Sequence, residues 1–138
     1  MRILALDVGD RRTGVAISDL TGIIALPLPA VIHQQALDRL QAVIQLVDEN
    51  NADEIVIGMP VSLSGQKGKQ AKWVDRFVQQ LREVLSVRVT TLDERYTTVE
   101  AENILKQAGF KPSKDRAKTD SVAAAILLQA YLDSKKFV

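Results

Sequence analysis

Three acids stand at places where chemistry could be done: Asp7, Glu94 and Asp120. Asp7 follows the apolar run Ile3-Leu4-Ala5-Leu6 and precedes Val8-Gly9, so a carboxylate falls within what reads as a buried strand and needs a partner or an ion. Asp93-Glu94-Arg95 directly follows the run Val87 to Leu92, at the carboxyl end of a strand, where open α/β sheets hold their ligands. Asp120 comes after Lys118-Thr119 and just before the apolar run Val122 to Leu128. Each acid also has a plain structural account. Asp7 could bond amides in an Asp-x-Gly-Asp turn, Asp93 or Glu94 could pair with Arg95 to brace a turn, and one of Thr119, Asp120 or Ser121 could cap a helix.

Taken together the acids suggest chemistry. Carboxylates gathered at one sheet edge repel unless a cation sits between them. An oxygen-only ligand set suits Mg²⁺ or Mn²⁺, and two such ions about 4 Å apart clamp the attacking water and leaving oxygen of a phosphodiester. Such a reaction needs neither thiol nor imidazole. The chain has no cysteine and one histidine, His33, which excludes disulfides, cysteine nucleophiles, Cys-containing zinc sites and any mechanism that needs a histidine pair.

Local cations supply a complement. Lys111, Lys114, Arg116 and Lys118 stand against the single acid Asp115 ahead of Asp120, Arg11-Arg12 closely follows Asp7, and Lys67, Lys69 and Lys72 form a third group. These clusters suit a polyanion, though Lys and Arg are also ordinary solvated surface residues. With 18 basic and 17 acidic residues the net charge is only +1, so bulk charge makes no case for nucleic acid. Gly65-Gln66-Lys67-Gly68-Lys69 misses the P-loop spacing, His33 reads as structural or exposed, and Trp73, Tyr96 and Tyr131 are too scattered to form a stacking platform.

The elements that must position these residues follow from hydrophobic periodicity. Ile3 to Val8, Gly14 to Ser18 and Ile23 to Ile32 read as three strands joined closely enough for an antiparallel meander, and Pro27 and Pro29 place the third at an edge. Leu37, Leu40, Val43, Ile44 and Val47 mark a helix that ends at Asn50-Asn51. Glu54 to Pro60 reads as a buried strand, Val74, Phe77, Val78, Leu81 and Leu85 as a second helix, and Val87 to Leu92 as a fifth strand. Thr97-Thr98-Val99-Glu100 has the form of a capping box for a third helix that stops at Gly109, and a last helix begins near Thr119. Helical crossovers favour parallel additions, which gives an α/β fold with one mixed sheet of five strands and helices on its faces.

The length of 138 residues, 46% of them hydrophobic, predicts one domain over 1–138 with a sufficient core. The apolar start is too short for a signal-peptide core, and no stretch approaches the roughly 18 apolar residues of a membrane span. A cytoplasmic protein is expected.

In order along the chain come Asp7-Val8-Gly9-Asp10-Arg11-Arg12-Thr13-Gly14-Val15-Ala16, Gly58-Met59-Pro60, Asp93-Glu94-Arg95-Tyr96-Thr97-Thr98 and Asp120-Ser121-Val122-Ala123-Ala124. With these motifs the chain resembles the YqgF family over nearly its whole length. The resemblance implies an RNase H-like fold, kinship with Holliday-junction resolvases, and a nuclease that matures the 5′ end of 16S ribosomal RNA in bacteria. It implies Asp7, Glu94 and Asp120 as metal-binding catalytic acids. The sequence departs from relatives of this fold in two places. Where many carry an acid at the end of the fourth strand, this chain has Gly58-Met59-Pro60-Val61, so Glu94 must serve instead. Where related resolvases often carry a further acid one helical turn from the last, both candidate positions, Ala117 and Ala123, are alanine.

The expectation is a divalent-metal-dependent endonuclease using Mg²⁺ or Mn²⁺, with Arg11, Arg12, Arg95, Lys111, Lys114, Arg116 and Lys118 positioning precursor 16S rRNA. The alternatives are a resolvase of branched DNA, which needs two symmetric sites as in a homodimer, and a non-catalytic nucleic-acid-binding module for ribosome assembly. Asp7-x-Gly-x-x-x-x-Gly-Val-Ala also looks like the first phosphate motif of actin-like ATPases, but those enclose nucleotide between two such domains and this chain makes one.

Overall fold

The computed structural model describes residues 1–33, 35–60, 68–110 and 115–135. Its centre is β1 (Ile3–Val8), whose residues are apolar apart from Asp7, as suits a strand covered on both faces. It pairs antiparallel with β2 (Arg12–Ser18), which pairs antiparallel with β3 (Ala25–Ile32). On its other side β1 runs parallel to β4 (Glu54–Met59), and β4 runs parallel to β5 (Arg88–Asp93). The order β3-β2-β1-β4-β5 is the predicted meander of three strands with two parallel additions. Pro27 and Pro29 lie on the edge strand β3, where a missing amide donor is tolerated.

Helices cover both faces. The even-numbered side chains of β1, Leu4, Leu6 and Val8, pack with Val43 and Val47 of α1 (Ala36–Asn50) and with Val74, Phe77 and Leu81 of α2 (Lys69–Val84). The odd-numbered ones, Ile3 and Ala5, pack with Leu105 of α3 (Val99–Gln107) and with Ala124, Ala125 and Leu128 of α4 (Arg116–Lys135). The period-two alternation therefore sends Asp7 to the α4 face. Asn51 closes α1 in the left-handed conformation at φ 50°, which asparagine tolerates well.

Two helix starts differ from the sequence reading. α4 begins at Arg116 rather than near Thr119, because the Asp115 carboxylate accepts the amides of Ala117 (3.0 Å) and Lys118 (3.4 Å). Asp120 thus sits in the second turn and caps nothing. The cap of α3 is Thr98, which accepts from the Ala101 amide at 3.0 Å, one residue later than the capping box implied. Thr97 is used instead by a short 3-10 turn over Glu94–Tyr96, its hydroxyl donating to the Glu94 carbonyl at 2.9 Å.

Helix α4 is fixed at both ends. Near its start the Val15 amide donates to Ser121 Oγ at 3.3 Å, and a β-carbon at Gly14 would overlap the Asp120 carbonyl, so β2 and α4 touch backbone to backbone there. Near its end the fully buried Glu54 accepts from Thr90 (2.8 Å), the Tyr131 hydroxyl (2.7 Å) and Lys135 Nζ (3.3 Å). Burial pushes the Glu54 carboxyl up, but these hydrogen bonds outweigh it and hold the group below its ordinary range.

Candidate active site

The α4 face of β1 brings Asp7 toward the carboxyl ends of β4 and β5. Glu94 opens the 3-10 turn directly after β5, and its side chain lies across β4 over Gly58. A β-carbon at Gly58 would stand 3.1 Å from Glu94 Oε1 and 3.2 Å from its Cγ. Gly58 is thus bare backbone that leaves room for the Glu94 side chain.

Asp7 and Glu94 lie within hydrogen-bonding reach of one another. Burial first, then the charges of Glu94 and Asp120, push the Asp7 carboxyl up to about 7. Glu94 is also raised, by burial and by the charge of Asp93, against a lowering hydrogen bond from Asp7. Asp93 itself is held low by Arg95, whose guanidinium reaches it at 2.9 Å (Nε) and 2.6 Å (Nη2). The Asp–Arg brace considered from sequence is thus real, and it engages Arg95 in the turn that presents Glu94.

Asp120 acts on Asp7 through its charge, but its carboxylate is paired with Arg12, Nε to Oδ2 at 2.8 Å. Among the described residues no three acids or imidazoles are gathered closely enough to hold a metal ion as they stand. Two of the three acids are together and the third is held by an arginine. The donor set nevertheless fits a hard divalent cation: it is all oxygen, and two carboxylates with raised proton affinity are forced together where a cation would relieve their repulsion.

A polar cavity of about 380 Å³ opens onto Asp7 and Asp120 and is walled by Gly9, Arg11, Arg12 and, from α2, Gln70. A second cavity of about 490 Å³ lies between β3 and α4, lined by Pro27, Pro29, Phe110, Lys118 and Val122. It is mostly apolar and contains no acid, so the chemistry belongs to the smaller one. Arg11 is exposed at the β1–β2 turn, and Arg116 and Lys118 are exposed on the first turn of α4. Lys69 and Lys72 are exposed at the start of α2, whereas Lys67, Lys111 and Lys114 lie outside the described residues.

Sequence reasoning missed Gln70 and Arg39. Arg39 is 3% exposed and donates to the carbonyls of Gly9 (3.1 Å) and Asp10 (2.9 Å), fixing the turn that carries Arg11 and Arg12. Its guanidinium lies 4.1 Å from the Trp73 ring centroid, and its Nε donates to His33 Nε2 at 3.1 Å. His33 is therefore buried and structural, its proton affinity lowered by burial and by the Arg39 charge. The available signal was spacing: Arg39, Val43 and Val47 recur every fourth residue on the buried face of α1. Gln70 gives no comparable signal.

Comparison with known proteins identifies the family and the fold. The family described as "RuvX: Holliday junction resolvase" matches residues 1–134. A Chloroflexus aurantiacus protein named "Putative pre-16S rRNA nuclease" is 44% identical over 134 residues, covering 97% of this chain and 88% of the relative. A Thermoanaerobacter pseudethanolicus protein of the same name is 40% identical over 137 residues, covering 99% of each. Among solved structures, Thermus thermophilus RuvC in complex with Holliday junction substrate superposes with TM-score 0.67 at 13% identity, covering 100% of this chain and 97% of that one. The fowlpox virus resolvase with its Holliday junction DNA gives 0.58 at 15% identity, covering 98% and 99%. These two show a shared RNase H-like fold.

Proposed function

Because this chain belongs to the RuvX family, also called YqgF, we propose that it is a divalent-metal-dependent endonuclease that hydrolyses phosphodiester bonds, and that its substrate is the 5′ end of precursor 16S rRNA. The observation that carries the chemistry is the crowding of Asp7 and Glu94, with the charge of Asp120 acting on Asp7, beside an arginine-walled cavity. The naming of relatives 40% to 44% identical supports the RNA substrate.

Asp7, Glu94 and Asp120 would hold one or two Mg²⁺ or Mn²⁺ ions. When bound, such ions lower the pKa of water and neutralise charge developing on the phosphoryl group. The chain's own residues do the rest. Arg11 and Arg12 face the same cavity and hold the phosphates flanking the scissile bond, with Arg116 and Lys118 extending the positive track along α4. Arg39 keeps the arginine-bearing turn in place, and the Arg95–Asp93 pair keeps Glu94 aimed across Gly58. The products would be a 5′-phosphate and a 3′-hydroxyl. One domain over residues 1–138 would contain the whole reaction, carried out in the cytoplasm. No helix among the described residues is long and apolar enough to cross a membrane.

The family description favours a second reading, resolution of branched DNA, which would require a homodimer to present two sites symmetrically. The test is cleavage of a labelled precursor 16S fragment and of a four-way DNA junction by wild type and Asp7→Asn, in Mn²⁺ and in chelator. Metal-dependent cutting by wild type alone supports the nuclease and identifies its substrate. Binding of RNA without cutting at any metal concentration would replace it with the assembly-module reading.

A further inference from the structure

We propose that Arg12 is a positioning residue that couples cation binding to nucleic-acid binding: it holds Asp120 until a cation takes that carboxylate, and is thereby released to a phosphate. The inference rests on the metal-centre reading above and goes beyond it by assigning an order and an energetic link to the two ligands.

Packing and hydrogen bonds hold both backbones in place, so the exchange falls to the side chains. Asp120 is pinned by the contact of its carbonyl with Gly14 and by the bond from Val15 to Ser121. Arg12 is pinned by the Gly9 amide bonded to its carbonyl at 2.9 Å, in a turn that Arg39 holds from behind. Only the two side chains are free to turn, and they are 36% and 29% exposed, so breaking their pair opens nothing else and costs little. Asp120 is already close enough for its charge to act on Asp7.

Electrostatics sets the direction. Without a cation, a third carboxylate beside Asp7 and Glu94 adds repulsion, and pairing with Arg12 is preferred. With a cation between Asp7 and Glu94, Asp120 gains more there than from an exposed arginine. Arg12 then faces the cavity it already lines with Arg11, bearing five donors suited to a phosphate. Linkage makes the effect reciprocal: whatever releases Arg12 favours nucleic acid, and nucleic acid holding Arg12 favours the cation by the same factor.

Arg11 supplies the control. It is exposed, follows the same strand, and makes no ion pair among the described residues, so Arg11→Ala removes the same charge without freeing Asp120. Mn²⁺ is titrated calorimetrically into wild type, Arg12→Ala, Arg12→Lys and Arg11→Ala without nucleic acid. Arg12→Ala is expected to bind Mn²⁺ about fivefold more tightly than Arg11→Ala, the worth of an exposed ion pair, with Arg12→Lys between Arg12→Ala and wild type. Binding of a labelled single-stranded phosphorothioate RNA, slow to hydrolyse, is then measured in Mn²⁺ and in chelator. Arg12→Ala should weaken it about fivefold more in Mn²⁺ than in chelator, and Arg11→Ala equally in both.

Equal Mn²⁺ affinity in the two alanine variants overturns the proposal, as does a wild type and Arg12→Ala that both fail to bind Mn²⁺ at millimolar concentration. Cleavage is scored separately. Exchange without cleavage would remove the nuclease reading and keep the coupling, and cleavage without an Arg12 effect would do the reverse.

Discussion

Replacing Asp7 by asparagine should make the metal-free protein more stable at neutral and alkaline pH, although it removes a residue assigned to catalysis. The Asp7 carboxyl rises from an ordinary 3.8 to about 7 in the folded chain because it is buried beside Glu94 and Asp120. Between those two values the native state keeps a proton that the unfolded chain has released. Stability therefore falls as pH rises from about 4 to 7, by about 1.4 kcal/mol per pH unit, and the full penalty persists above 7. The whole interval is worth about 4 kcal/mol, an upper figure for this group alone. An asparagine carries no charge, and its amide can donate to Glu94, so Asp7→Asn escapes the penalty. Urea denaturation in EDTA should show the two proteins within about 0.5 kcal/mol of each other near pH 4 and the variant ahead by about 2 to 4 kcal/mol at pH 8. Adding Mn²⁺ at pH 8 should stabilise the wild type and leave Asp7→Asn nearly unchanged. A wild type as stable as the variant at pH 8 in EDTA, or a gap that does not change with pH, would refute the argument that Asp7 is crowded by like charge.

Three further outcomes follow from particular contacts. Gly14→Ala places a β-carbon against the Asp120 carbonyl, a backbone contact that cannot yield locally, and should cost about 3 kcal/mol in chemical denaturation. For Gly58→Ala the nearest atoms belong to side chains, Glu94 and Leu127, both at 3.1 Å, so stability should change by less than about 1 kcal/mol. Cleavage by that variant should nevertheless fall about tenfold in a single-turnover assay, because Glu94 is displaced. Tyr131→Phe removes a 2.7 Å bond to the buried Glu54 carboxylate and should cost about 2 kcal/mol at pH 7. Glu54 is held below its ordinary range, so the stability it contributes is present above about pH 4.5 and is lost as pH falls, and the Tyr131→Phe deficit measured by urea melts should shrink in acid.

The sheet was readable because each strand carries its own evidence. β1 and β4 are apolar on both faces, as only central strands are, and the prolines of β3 exclude it from the middle. Helix starts were less readable because several residues compete for one role. Asp115 captures the first amides of α4 before Thr119 or Asp120 can, and a 3-10 turn consumes Thr97 and leaves Thr98 as the cap. Hydrophobic periodicity locates a helix body but does not decide which of several adjacent polar residues satisfies its end.

The nearness of Asp7 and Glu94 was legible from their strand ends, but the pairing of Asp120 was not. That Asp7 and Glu94 meet follows from strand ends and the two-residue pleat. That Asp120 is held by Arg12 depends on a contact 108 residues apart, which no local pattern encodes. The same holds for the glycine in β4. In the sequence Gly58-Met59-Pro60-Val61 reads only as a strand end without an acid; in the structure Gly58 and Glu94 are halves of one arrangement, since the side chain from after β5 needs the space that a side chain at Gly58 would fill. The two positions should therefore vary together. An acid introduced at position 58 would have to displace Glu94, so Gly58→Asp alone should impair cleavage, whereas Gly58→Asp with Glu94→Ala should recover part of it.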